Sequence, residues 1–197
     1  MNSPAAFYPQ TLLTEDRRYR PPIADKPITV VPYDSEWPSR FDAERALLEP
    51  PLGQWLTEGI HHIGSTAVPG LASKPIIDMM AGVRDLEAAR MAFDALGELS
   101  YIYAPHRPGV AHHFSKPSLH LAETTYGLHL TEPESDLWRE RLAFRDALCG
   151  DAERAAEYEA LRLRLAGVHH DVASYTAGKR AFVARVLATA GIQLGRR

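Results

Sequence analysis

The apolar pattern of the chain changes period along its length. Ile28 to Pro32 (ITVVP) is β-branched and predicts a strand. A helix follows, with Asp34 or Ser35 as its cap and Pro38 in its first turn. Trp37, Phe41, Arg45 and Leu48 fall on one stripe of it, and Pro50-Pro51 is expected to end it. Ile60 to Ile63 and Pro75 to Val83 are short apolar runs of strand length. Asp85 is placed to cap a helix reaching about Leu96, with Leu86, Ala89, Phe93 and Leu96 inward. Ser100 to Ala104, Val110 to Lys116, and a hairpin or adjacent pair of Leu119 to Glu123 with Tyr126 to Glu132 read as strands. The last third is helical. Ser135 caps a helix through Leu148 that Gly150 ends, and Asp151 caps a second with Ala155, Tyr158, Leu161 and Leu165 inward. Asp171 or Ser174 opens the final helices, whose apolar face is Phe182, Val183, Val186 and Leu187. Strands early and helices late, with one helix among the strands, indicate an α+β fold.

The most informative stretch is Ile60 to Val83, IHHIGSTAVPGLASKPIIDMMAGV. Between its two strands lies a turn of small residues, Gly64-Ser65-Thr66, and Asp78 sits among Ile76, Ile77, Met79 and Met80. A carboxylate in an apolar run is expensive unless it is paired, hydrogen-bonded or metal-bound. The residue types suit phosphate. Gly64 permits close backbone approach, Ser65 and Thr66 add hydroxyls beside backbone N–H groups, and Lys74 brings a point charge. Asp78 is suited to Mg²⁺ that bridges phosphate oxygens. Neither G-x-x-x-x-G-K-[ST] nor G-x-G-x-x-G occurs. The competing reading is an ordinary turn with an acid paired to a lysine.

Composition narrows the classes. At 197 residues the chain has room for a full core without staples, and its formal charge of −3 argues against a broad nucleic-acid surface. The single cysteine, Cys149, excludes an internal disulfide and fits a reducing compartment. With no apolar run of about 20 residues and no secretory leader pattern, a cytoplasmic location away from membranes is expected. Met1 to Lys26 lacks sustained periodicity and is expected to be a flexible arm preceding one domain over 27–193. The pairs His61-His62, His112-His113 and His169-His170 lack metal-site spacing, and neighbouring strand residues point to opposite faces.

Several segments in order resemble the GrpB family: VPYDSEWPSRF (Val31 to Phe41), HIGSTAVPGLASKPIIDMM (His62 to Met80), FSKP (Phe114 to Pro117), LHLTE (Leu128 to Glu132), LAFRDAL (Leu142 to Leu148), Tyr158 with Leu161, and YTAGKRAF (Tyr175 to Phe182). The resemblance implies a nucleotidyltransferase-like fold, a small mixed sheet flanked by helices with a helical C-terminal part. It also implies a comparison with nucleotidyltransferases, which carry two acids as Asp-x-Asp or Asp-x-Glu and a third on a later strand. Gly64-Ser65 matches their turn and Asp78 their first acid, but Met80 stands at the second. His129 occupies the expected later strand as a ligand or general base, and Glu132 just beyond it is a further metal candidate.

Four cations complete the expected site. Lys74 is joined by Lys116, which shares the strand parity of Phe114 and faces either with it or to solvent. Arg145 is read as a bidentate phosphate ligand or a helix-to-sheet ion pair, and Lys179, at a helix start, as an anion ligand or a solvated lysine. Two functions follow. The first is an Mg²⁺-assisted transfer of a nucleotidyl or phosphoryl group with Asp78 and His129 as catalytic residues. The second, motivated by Met80, is a non-catalytic module for a nucleotide or other phosphate ligand. Fusion of some relatives to dephospho-coenzyme A kinase makes a coenzyme A-related ligand one expectation for that module.

Overall fold

The structure is a computed structural model that describes residues 29–105, 109–120, 123–169 and 172–193. The expected arm over residues 1–26 lies outside the described residues. Helix α1 spans Trp37–Leu52, strand β1 Leu56–Ile63 and β2 Ile77–Val83. Helix α2 (Phe93–Glu98) precedes β3 (Ile102–Tyr103), β4 (His112–Lys116) and β5 (Tyr126–Thr131). Four helices follow: α3 (Asp136–Cys149), α4 (Ala152–Val168), α5 (Val172–Gly178) and α6 (Arg180–Thr189). The strands form one sheet in the order β1-β2-β5-β4-β3. The β2–β5 pair is parallel and the others antiparallel, so the sheet is mixed and the α+β expectation holds.

The sheet has two differently used faces. Ile77, Met79, Ala81 and Val83 of β2 turn to one side, with Leu128 and Leu130 of β5 and Phe114 of β4. They pack with Trp37, Phe41, Leu48 and Leu52 of α1 and with Leu96 of α2. The two-residue side-chain period of a strand therefore sends Asp78, Met80, Gly127, His129, His113 and Ser115 to the opposite face. There Met80 and Ile63 pack with Trp138 of α3. Val68 and Leu71, from the loop between β1 and β2, pack with Leu148, Tyr158, Phe182 and Val186. The C-terminal helices thus roof the second face and hold the loop that follows Ser65.

Local chemistry explains the helix starts. The Ser135 hydroxyl accepts from Trp138 N, and the Asp151 carboxylate accepts from Arg154 N, as the sequence predicts. Other expectations are corrected. Around Ile28 to Pro32 no strand forms among the described residues; Val31 makes a single bridge to Ser73. Helix α1 runs through Pro50 and Pro51, because Leu48 and Leu52, one repeat apart, are both fully buried and hold its last turn despite the missing donors. The Asp85 carboxylate does accept from Ala88 N, but the helix expected there is a 3₁₀ segment, Ala88–Ala92, followed by α2. No strand forms at 119, 120 or 123, where Glu123 N and Thr124 N both donate to the His120 carbonyl in a turn. Among the described residues, no helix is long and apolar enough to cross a membrane.

Candidate functional site

Asp78 lies on the roofed face, in register with Ile63 of β1 and Gly127 of β5. Its carboxylate occupies space that side chains on either flank would otherwise fill. A Cβ at Gly64 would stand 2.7 Å from Asp78 Oδ2, and one at Gly127 would stand 2.7 Å from Oδ1. Gly64 also has φ 72° and ψ −168°, a region open essentially to glycine alone. The two glycines admit the acid, and the backbone bend at Gly64 lets the chain turn directly over it.

A cavity of about 190 Å³ opens above Asp78. Gly64, Ser65, Ser73 and Lys74 line it from the β1–β2 loop, His113, Ser115 and Gly127 from the sheet, and Arg141, Phe144, Tyr158, Arg162, Tyr175 and Lys179 from the helices. Each helical contribution has a local cause. Tyr158 and Arg162 are four residues apart on α4, so they share a face, and Tyr175 and Lys179 are spaced likewise at α5 and its end. The Lys74 and Lys179 ammonium groups lie 5.3 and 4.4 Å from the centroid of the fully buried Tyr175 ring. Arg162 lies 5.3 Å from the Tyr158 centroid. These aromatic contacts partly offset the loss of water around the charges.

Electrostatically the cavity is overloaded with positive charge. Burial is the largest influence on Lys179 and holds its ammonium well below the usual lysine range, with Lys74, Arg162 and Arg141 adding repulsion. Burial also lowers Lys74, partly opposed by Asp78. Asp78 is raised by burial, although Lys74, Arg141 and Lys179 pull the other way. Asp78 opens onto the cavity, but it lies deep enough for desolvation to outweigh three neighbouring cations. Arg162 is 2% exposed; its Nε donates to Tyr175 Oη and its Nη2 to Ser73 Oγ, both at 3.3 Å. Its Nη1 is buried and has no hydrogen-bond partner among the described residues. A buried guanidinium N–H without an acceptor is costly, and an anion in the cavity is the partner its chemistry calls for.

Of the sequence-selected residues, the structure gathers Gly64, Ser65, Lys74, Asp78 and Lys179 around this cavity. It places four others elsewhere. Thr66 Oγ1 donates to the Ile76 carbonyl at 3.0 Å and bonds His62 Nε2 at 3.0 Å, fastening the turn to the start of the returning chain. Lys116 has the parity of Phe114 and so lies on the α1 face, where its Nζ meets Glu44 Oε1 at 2.7 Å. Arg145 donates to the His62 carbonyl at 3.0 Å and pairs with Asp146 at 2.7 Å, tying α3 to β1. Glu132, one residue past β5, accepts from Leu86 N at 3.2 Å. His129 lies on the same face of the sheet but does not line the cavity, its ring 4.5 Å from that of His113, which does.

The donors that the described residues bring to the cavity do not fit Mg²⁺. Among the described residues Asp78 is the only carboxylate lining the cavity, and cationic side chains crowd it. Met80, at the position of a second acid, is fully buried against Trp138. Among the described residues no group of three or more His, Cys, Asp or Glu side chains is placed to hold a metal ion. A divalent cation needs several oxygen donors, and the guanidinium groups of Arg141 and Arg162 repel it.

Sequence reasoning missed Arg141, Arg162, His113, Ser115 and Gly127. Arg162 carried a readable signal. It falls one helical repeat after Tyr158, on the inward stripe, where a charged residue is as anomalous as Asp78 is in its strand.

Comparisons with known proteins agree with this architecture. The family model described as "GrpB protein" matches residues 27–189. A UPF0157 protein from Deinococcus radiodurans is 36% identical over 158 residues, covering 80% of this chain and 79% of that protein. The glutamate-rich protein GrpB from Alkalihalophilus pseudofirmus is 33% identical over 164 residues, covering 81% of this chain and 94% of that protein. The crystal structure of the conserved protein GrpB from Enterococcus faecalis matches with a TM-score of 0.74 at 27% identity, covering 82% of this chain and 96% of that one.

Proposed function

This chain belongs to the GrpB family, and from that premise we propose that it binds a small phosphate-bearing ligand in the cavity above Asp78. The observation that carries the reading is the buried, unpartnered Nη1 of Arg162, set in a cavity where Lys74, Arg141 and Lys179 also converge. An anion there supplies the missing acceptor and relieves the mutual repulsion of the cations. Gly64 and Ser65 line the same rim, where the Ser65 side chain is hydrogen-bonded to Tyr158.

The arrangement favours binding over transfer. Metal-assisted nucleotidyl transfer needs paired carboxylates to hold its ions, and among the described residues Asp78 has no second carboxylate beside it in the cavity. Asp78 instead offsets part of the positive charge, favouring the protonated forms of Lys74 and Lys179. A coenzyme A-related ligand stays within this reading as one phosphate-bearing molecule among several.

The test is calorimetric titration with a panel of ADP, ATP, coenzyme A and inorganic pyrophosphate, each with and without Mg²⁺. Binding without metal is expected for at least one of them. Arg162→Met removes a charge-assisted hydrogen bond worth about 1.5–3 kcal/mol and weakens binding roughly ten- to a hundredfold. Affinity unchanged in a folded Arg162→Met protein refutes the assignment.

A further inference from the structure

The phosphate reading leaves open which part of a ligand the cavity recognises, and three observations narrow it. The first is charge. Among the described residues Lys74, Arg141, Arg162 and Lys179 face one acid, Asp78, a formal surplus of three positive charges. A phosphomonoester brings about −1.5 to −2 and leaves that surplus unmatched, whereas a second phosphoryl group closes it. The second is size. The cavity holds about 190 Å³, below the roughly 300–1,000 Å³ of sites that enclose a drug-sized molecule. Two phosphoryl groups fit within it, but a whole nucleotide does not.

The third observation concerns the aromatic side chains. A nucleobase is usually held by an open aromatic face. The Tyr175 ring already carries both lysines. The Tyr158 ring is stacked on Phe182 at 5.1 Å and carries Arg162, and Phe144 meets Tyr158 edge-on at 5.1 Å. The Tyr175 and Tyr158 rings are thus committed to building the cationic wall, and Phe144 packs against that wall.

We propose that the cavity recognises a diphosphate group itself, as free pyrophosphate or as the diphosphate of a larger molecule whose organic part stays outside, without selecting the base. This rests on the phosphate-binding reading above. The diphosphate bridges the loop cation Lys74 and the helix cations Arg162 and Lys179. Its organic substituent leaves by the cavity mouth, where Arg141 is exposed.

Titrate the full chain at fixed ionic strength with orthophosphate, pyrophosphate, AMP, ADP, GDP, CDP and UDP. The nucleoside diphosphates are expected to agree within about threefold, and orthophosphate and AMP to bind at least about tenfold more weakly than the best diphosphate. Pyrophosphate above all the nucleotides identifies the free ion as the ligand. Nucleoside diphosphates uniformly above pyrophosphate identify an ester. One base preferred by more than about tenfold, or AMP equal to ADP, overturns the diphosphate assignment while leaving phosphate binding intact. Failure of every anion to bind removes the phosphate reading as well.

Discussion

Gly127→Ala is the sharpest test of how Asp78 is seated. The added methyl would lie 2.7 Å from Asp78 Oδ1, closer than unstrained contact permits. The carboxylate has no cheap way to turn aside, because its other oxygen already occupies the space beside Gly64. Overpacking of this kind costs about 1–3 kcal/mol, which for a chain of this size is a fall in melting temperature of roughly 2–12 °C. Removing the obstacle isolates the cause. In an Asp78→Ala background the methyl meets neither oxygen, and its next neighbour, His113 Nε2, is at an ordinary 3.8 Å. The Gly127→Ala penalty is then expected to shrink below about 0.5 kcal/mol, giving a coupling energy of about 1–3 kcal/mol. Urea denaturation of the four proteins in this cycle measures it. Gly64→Ala serves as a contrast, since it adds about 1–3 kcal/mol of backbone strain that survives removal of Asp78. A Gly127→Ala penalty that persists in full without the Asp78 carboxylate would show that the acid is not wedged between the two glycines.

Two other predictions address charge. Lys116→Met is expected to destabilise by about 3–5 kcal/mol, because Glu44, 5% exposed, loses its ion-pair partner and keeps only the Tyr101 hydroxyl at 3.0 Å. Pyrophosphate affinity of the folded variant should not change, and a loss of affinity at full stability would return Lys116 to the binding site. The second concerns protons. Lys74 and Lys179 are lowered in the folded chain, so the unfolded chain binds more protons between their lowered values and the ordinary lysine value near 10.4, and unliganded stability rises with pH through that window. Asp78 is raised, so its contribution runs the other way: stability falls as pH rises from the ordinary value near 3.9 to the raised one. A bound polyanion favours the protonated form of all three groups. Calorimetry at one mildly alkaline pH in buffers of differing ionisation enthalpy should therefore report proton uptake on binding, and net release would contradict the electrostatics.

How legible this was in the chain depended on whether a feature was local. The caps at Ser135 and Asp151 and the existence of strands on either side of Gly64 are written within a few residues, although β1 begins at Leu56 ahead of the apolar run at Ile60 and β2 at Ile77 after Pro75. The second half of the cavity is not local. Arg141, Arg162 and Lys179 converge on Asp78 only because α3, α4 and the α5–α6 junction roof the sheet, and no spacing in the sequence states that. Lys116 was ambiguous for the same reason. Its strand parity tied it to Phe114, but which face Phe114 takes is settled by the packing of α1. Pro50-Pro51 misled in the opposite direction, since a strong local stop signal was overridden by the burial of Leu52.

The helices that complete the cavity come last in the chain, and this bears on its synthesis. The loop at Gly64 and strand β2 emerge from the ribosome about a hundred residues before Lys179 does. A nascent chain can therefore assemble its sheet while its basic groups are still unassembled, and the proposed polyanion site is complete only once the region around Tyr175 has docked. On that proposal, affinity for a phosphate ligand doubles as a report that the final helices are in place, and phosphates in solution would act as a folding template for a part of the molecule whose own charges resist coming together.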